Sequence, residues 1–380
     1  MSDRVQLGSL VKLSTESAKD PAAVGLTRSV GLDHIDSDDL RLRRWSDIGN
    51  GADFTRVFRS GDVLFGKRRS YQRKVALADF DGVCSGDILV VRTADPRLDG
   101  LYLAYLLASP LFIGHAISSS AGSLSPRIRP RDLERFEFDL PSLDEQHRVV
   151  EVMRAVDREI EAAERAEVAA VVSIAALVST LPESVAPRRP LSEVLALRTS
   201  GAWGDSDESK KRSVKVRVIT NGDIRPNGSI SGFATRWFSP TEAARFALRP
   251  GDTLMAASGA TIGKTSLIET GLISSAKEPL VFSNFVHLLR PSAQVSAMYL
   301  YAQARYGTIQ QDITRLSSGS TLANLNVDFY RRAAIQVPND TDMGALEMSI
   351  ASLIHTESAA RGAMQAAGSL RTSLLQELIG

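Results

Sequence analysis

Cysteine is nearly absent from the 380 residues, with Cys84 the single example. That excludes an internal disulfide and a Cys-based zinc cluster, and fits a reducing compartment. An excess of one charge is missing too, since 45 Lys and Arg offset 44 Asp and Glu to a net +1. A uniformly basic nucleic-acid coat is thereby excluded, although local patches can still be strongly positive. The most apolar run, Val168 to Val178, is too short to span a bilayer, and MSDRVQLGSLVKLST at the start lacks the apolar core of a signal peptide. These absences lead us to expect a cytoplasmic protein without a membrane partner.

Catalytic signatures are missing in the same way. The five histidines, His34, His115, His147, His287 and His355, are scattered without metal-ligand spacing. No G-x-G-x-x-G follows a strand pattern, no Asn-Pro-Pro-aromatic or Asp-Pro-Pro-Tyr motif of an AdoMet-dependent methyltransferase occurs, and nothing resembles a nucleophile elbow. Asp79 and Asp81 are the nearest approach to carboxylates clustered for Mg²⁺, and a turn explains them better. The stretch Gly259 to Thr265 is one residue short of a phosphate-binding loop, and no helical pattern follows it. We expect no catalytic residue, metal or cofactor in this chain, and read the stretch as a strand-turn-strand with Lys264 toward a phosphate, or as a plain turn.

What is present is a stretch from Asp144 to Leu181 without Gly or Pro. Val149, Met153, Val156, Ile160, Ala163, Glu167, Ala170, Ile174, Leu177 and Leu181 recur in a 4-3 rhythm, the 3.5-residue repeat of a coiled-coil seam. Pro141 and Pro182 punctuate the ends, and Asp144 and Glu145 place acid in the first turn, where the helix dipole favours it. One helix of roughly 55 Å follows at about 1.5 Å per residue, and it cannot bury its stripe alone.

The repeat in the chain supplies a partner. Short apolar runs bounded by Gly-Asp turns read as strands before Pro141, as in VFRSGDVLFGKRR and VCSGDILVVR. After a linker at 182–190 the programme returns: Gly61-Asp62 is answered by Gly251-Asp252, and the strand ending in Arg92 by HLLR at 287–290. Tyr102 and Tyr299, Gly122 and Gly319, and Leu140-Pro141 and Val337-Pro338 share one offset of 197 residues. From Met343 a second seam runs Leu346, Ile350, Leu353, Glu357, Ala360, Met364, Ala367, Arg371, Leu374 and Leu378. The expected fold is α+β, with strand-rich domains at 1–141 and 183–338, each followed by a long helix (142–182 and 339–380). A pseudo-two-fold axis between the two units would make the helices an antiparallel coiled coil and the molecule a dumbbell.

Two similar domains at a fixed spacing suit a split target, and duplex DNA is the commonest one. Basic clusters support this: Lys67, Arg68, Arg69, Arg73 and Lys74 with Tyr71 and Gln72; Arg127, Arg129 and Arg131; and Lys210, Lys211, Arg212 and Lys215. Each cluster reads equally as a solvated loop face from charge alone. Arg236, Trp237 and Trp203 lie in loops that could contact bases or cap a small core.

These pieces, and above all LPSLDEQHRVV at 140–150, SGATIGKTSLI at 258–268 and SSGSTLANLNVDFYRRAAIQVP at 317–338, resemble the specificity (S) subunit of type I restriction-modification systems. The likeness covers essentially the whole chain. It implies a non-catalytic subunit whose domains each read half of a split, asymmetric sequence in double-stranded DNA, with Ser318 and Ser320 among the contacts. It further implies helices that act as a ruler and dock methyltransferase subunits, two of them, with Glu145 and Gln146 at the docking start. Restriction subunits would join where the system restricts, and AdoMet, ATP and Mg²⁺ would sit on those partners. The second copy departs from the pattern with PNDTDMG in place of PSLDEQ. The alternatives are a scaffold of another defence complex and a stand-alone nuclease.

Overall fold

The computed structural model describes residues 3–49, 54–122, 125–179, 181–317 and 324–379. The chain divides into two units, one formed by Met1–Ala163 with Gly362–Gly380 and the other by Glu164–Arg361. Both long helices, Leu143–Ser179 and Asp340–Ile379, contribute to each unit.

In the first unit an antiparallel sheet has the order Val11–Leu13, Ile88–Thr93, Val63–Gly66, Val75–Leu77. Val63 to Gly66 are all buried, as a strand covered on both faces requires. A second four-stranded sheet orders Ser46–Asp47, Arg28–Val30, Gly82–Cys84 and Arg56–Phe58, with the middle pair parallel. Asp99 caps helix Gly100–Ala108 by accepting the Leu101 and Tyr102 N–H groups at 2.9 Å. Its apolar face covers Val63, Phe65, Leu89 and Val91 in the unit's main core.

The second unit repeats the plan. Leu195–Ser200, Val286–Pro291, Thr253–Ala256 and Thr265–Leu267 form the antiparallel sheet, and Ala234–Phe238, Val214–Ile219 and Leu280–Phe282 the other, again with one parallel pair. Ser296 caps helix Ala297–Tyr306 as Asp99 does in the first unit. Met255 pairs with Thr265, so the stretch from Gly259 turns between two antiparallel strands, as the strand-turn-strand reading expects. The segment read as a linker ends in a strand, Arg188–Pro190, paired with Ala334–Gln336.

The Gly-Asp turns have a structural reason. Gly61 and Gly251 sit at φ +91° and +89°, a region that favours glycine. The Asp62 and Asp252 carboxylates each accept the N–H three residues back, from Arg59 and Arg249, at 2.8 Å.

The seam is buried within each unit. In the first, Val150 and Met153 share a cluster with Leu375 and Ile379, with Val149 and Leu374 packed against it. In the second, Ile174 and Val178 share one with Met343 and Ile350, against which Leu177, Leu346 and Leu353 pack. Val156 is buried, and Ile160 and Met364 are half-buried. The last turn corrects the sequence reading. Leu378 is 37% exposed while Leu375 and Ile379 are buried. A helix of 3.6 residues per turn drifts against a 3.5-residue pattern, so the buried stripe shifts by one position.

Candidate nucleic-acid interface

Backbone pairing brings together two basic stretches that lie far apart in sequence. Arg69 N–H donates to Pro126 O at 2.8 Å, Ile128 N–H donates to Lys67 O at 3.0 Å, and Arg68 faces Arg127 in an antiparallel bridge. Three cations then surround one carboxylate. Asp87 lies 2.9 Å from Arg68 Nη1, 3.8 Å from Arg127 Nη2 and 4.0 Å from Lys67 Nζ. The cluster therefore carries a net positive charge near +2, held by a half-buried anion and open to solvent at Arg127. Asp87 escapes sequence reading because SGDI looks like any other turn.

The rest of the 67–74 stretch divides in role. Arg69 and Arg73 both adopt left-handed backbone, at φ +52°, and flank a short turn that carries Tyr71, 55% exposed, and half-buried Gln72. Arg73 is held by the Asp38 carboxylate and by Ala108 O. Lys74 donates to Leu32 O at 2.5 Å. Arg129 pairs with Asp132 at 2.5 Å, and Arg131 reaches the same carboxylate at 3.9 Å.

In the second unit Arg236 and Trp237, read from the sequence as loop residues, lie on the strand Ala234–Phe238, which pairs with Val214–Ile219. Half-buried Arg236 lies over the half-exposed Trp203 ring at 4.4 Å, a cation–π contact, and its Nη1 donates to Thr235 O at 2.9 Å. Asp205 and Trp237 exchange backbone hydrogen bonds at 2.9 and 3.0 Å, fixing the Trp203 loop to the strand. Arg212 bridges Asp205 and Glu242, both at 3.2 Å, and Lys215 lies 3.9 Å from Glu278. Lys210 and Lys211 are exposed, and Lys264 is half-buried beside the turn at Gly263. Ser318 and Ser320 lie outside the described residues.

The helix start differs from expectation in one respect. Glu145 and Ser142 cap each other, with Ser142 N–H and Oγ–H donating to Glu145 Oε2 at 2.9 and 2.8 Å, and Glu145 remains exposed. Gln146, expected to face a partner, is fully buried. It accepts the Asp99 N–H at 2.8 Å and donates to Arg97 O and Pro141 O at 2.7 and 2.9 Å.

Burial pushes the Cys84 thiol up to about 12, which leaves little of the nucleophilic thiolate. Burial, aided by Arg198, lowers His287 to about 4, so it stays neutral against the Tyr330 hydroxyl at 2.8 Å. Among the described residues no group of three or more His, Cys, Asp or Glu could hold a metal ion, and no single helix is long and apolar enough to cross a membrane.

Residues 41–170 match the model of the family described as type I restriction modification DNA specificity domain. A segment of 93 residues is 30% identical to the type I restriction enzyme EcoDI specificity subunit of Escherichia coli; it covers 24% of this chain and only 20% of that relative. Over the full length, the type I restriction-modification S subunit from M. genitalium aligns with 100% of this chain and 96% of its own, at 16% identity and TM-score 0.60. A chain from a structure of type I R-M complex assembly and conformational transition aligns over 99% and 97%, at 19% identity and TM-score 0.55. The fold is that of these subunits, and the resemblance read from the sequence is borne out.

Proposed function

We propose that this chain, which carries a type I specificity domain at 41–170 on the fold of an S subunit, is the DNA-recognition subunit of a type I restriction-modification system. It reads a split, asymmetric site in duplex DNA and directs methyltransferase subunits, two of them, and restriction subunits where the system restricts. The chain is non-catalytic and cytoplasmic, and AdoMet, ATP and Mg²⁺ belong to its partners. The observation that carries this reading is the pair of similar strand-rich units, each with cations at its surface: Lys67, Arg68 and Arg127 around Asp87 in one, and exposed Lys210 and Lys211, with Arg236 over Trp203, in the other. Phosphate contacts position such a protein, and a few side chains at the same edge read bases.

The helices support a ruler. Asp157 pairs with Arg371 in the first unit and Glu167 with Arg361 in the second. Exposed Val152, Val168, Val172 and Met348 leave apolar surface for a methyltransferase partner.

Mapping genomic methylation with and without the gene tests the reading. One split motif should disappear with the protein. In vitro, changing Lys67, Arg68, Arg69 and Arg127 to Gln should weaken duplex binding and flatten its salt dependence. An unaltered methylome, or salt-independent binding to any duplex, sinks the proposal.

A further inference from the structure

We propose that Arg371 and Arg361 are positioning residues, each locking one recognition domain to the long helices and so setting the half-site spacing that the protein accepts. The part concerning spacing rests on the recognition function proposed above.

In the first unit Arg371 is buried. Its Nε lies 2.9 Å from Asp157 Oδ1, an ion pair whose N–H is not aligned for a hydrogen bond, and its Nη1 donates to the backbone carbonyl of Asp38. The Tyr105 hydroxyl donates to the other Asp157 oxygen at 2.7 Å. Asp38 is itself unusual, with left-handed backbone at φ +58°. Its N–H donates to Arg73 O at 3.2 Å and its carboxylate takes the Arg73 Nε, so the helix is linked through one residue to the basic loop 67–74.

The second unit has the same joint in different residues. Arg361 Nε donates to Glu167 Oε1 at 2.7 Å, and Nη1 donates to Asn227 O at 3.0 Å. Its Nη2 pairs with buried Glu357, which also receives Arg305 at 3.3 Å and the Tyr306 hydroxyl. Beside Asn227, Gly228 has φ +80°, and a Cβ there would lie 1.9 Å from Arg305 Nη1 and 2.6 Å from the Tyr301 hydroxyl. The 190 residues that separate Gly61 from Gly251 also separate Asp38 from Gly228. The same left-handed turn of each domain is thus seized by an arginine of the same helix.

Buried ion pairs add little net stability compared with apolar packing, because desolvation offsets their attraction. Their use lies in geometry. A planar guanidinium that must meet an acid and a carbonyl at once permits one orientation, where apolar faces could slide. One base pair moves a half-site by about 3.4 Å and turns it by roughly 34°. A stiff joint therefore discriminates spacers, and a loose one does not.

Two measurements test this. Spin labels at Lys19→Cys and Lys277→Cys on the purified full chain, with Cys84 buried, report the distance between the domains. Arg371→Met and Arg361→Met should each broaden a narrow distribution, and Arg→Lys at either site should broaden it less. In cells, methylation mapping should show the wild-type half-sites now also joined by spacers one base pair longer or shorter. Discrimination between spacers should fall about tenfold in the Met variants, the fold-change of one charge-assisted hydrogen bond. Should a Met variant fail to fold, the Lys variant carries the same test. Unchanged distance distributions overturn the joint, and an unchanged single spacer overturns its role in spacing. A wild-type chain that directs methylation of no split motif, while the distances still respond, overturns the recognition function and leaves the joint standing.

Discussion

Arg290 holds Asp252 through two parallel hydrogen bonds of 2.6 and 2.7 Å, and Arg92 holds Asp62 with the same two lengths. The carboxylates are almost wholly buried, but the arginines are not equally so: the side chain of Arg92 is 41% exposed and that of Arg290 21%. Removing an acid strands its arginine, and the cost depends on how easily that arginine finds water. Asp252→Ala should cost about 3–5 kcal/mol, the range for breaking a buried pair, and Asp62→Ala clearly less. Urea unfolding of the two variants checks the order; equal losses would show that arginine exposure does not govern the cost.

The helix starts offer a second asymmetry. The 197-residue offset places Met343 where Gln146 stands, and Met343 is buried among Val337, Tyr299 and Ile350 without polar partners to satisfy. Gln146→Met would orphan the Asp99 N–H and two carbonyls, at a cost of about 1–3 kcal/mol for each that water cannot reach. Met343→Gln would bury an amide in an apolar cluster, with a similar penalty. Both variants should lower the melting temperature, so identical substitution toward the other copy's residue destabilises in both directions. If either is neutral, the repeat tolerates exchange and the local polar network is not what fixes Gln146.

How much of this was legible beforehand follows from the range of the interactions. The repeat, the strand runs and the helix seams are local patterns, and they appear where Gly61, Gly251, Val149 and Ile350 implied. Asp87, Arg361 and Arg371 were not legible as functional residues. Asp87 draws Arg127 from 40 positions away, and Arg371 meets a carbonyl 333 positions away. Such partners are set by topology, and a single sequence carries no periodic trace of them. Arg361 is hidden in the sequence for a plainer reason: it lies one position beyond the seam residue Ala360, and only the fold turns it toward Glu167 and Glu357.

Buried His287 makes the second unit sensitive to acid. Its value falls from an ordinary 6.5 to about 4 because burial disfavours the charged ring. Between these values the unfolded chain binds a proton that the folded chain does not, so stability is full above pH 6.5 and is lost as pH falls toward 4. The loss approaches about 3 kcal/mol at most. His287→Gln should be less stable at pH 7.5 yet show a flatter decline between pH 6.5 and 4.5 in urea titrations. A parallel decline in the variant would assign the acid sensitivity to other groups.

Asp87 gives the sharpest test of the basic edge, because removing it should strengthen binding. The carboxylate partly neutralises Lys67, Arg68 and Arg127, and it competes with phosphate for all three. Asp87→Asn keeps the shape of the turn and releases the cations. At a half-exposed site one charge a few ångströms away is worth about 1 kcal/mol, so affinity for a duplex of random sequence should rise about fivefold. The slope of log K against log salt should steepen by about 0.9 for each further phosphate engaged. Fluorescence anisotropy between 50 and 200 mM salt, a range over which phosphate contacts lose affinity steeply, reads both quantities. Weaker binding would mean that Asp87 serves mainly to hold the loops 67–69 and 126–128 together, and an unchanged slope would place the phosphate path elsewhere on the domain.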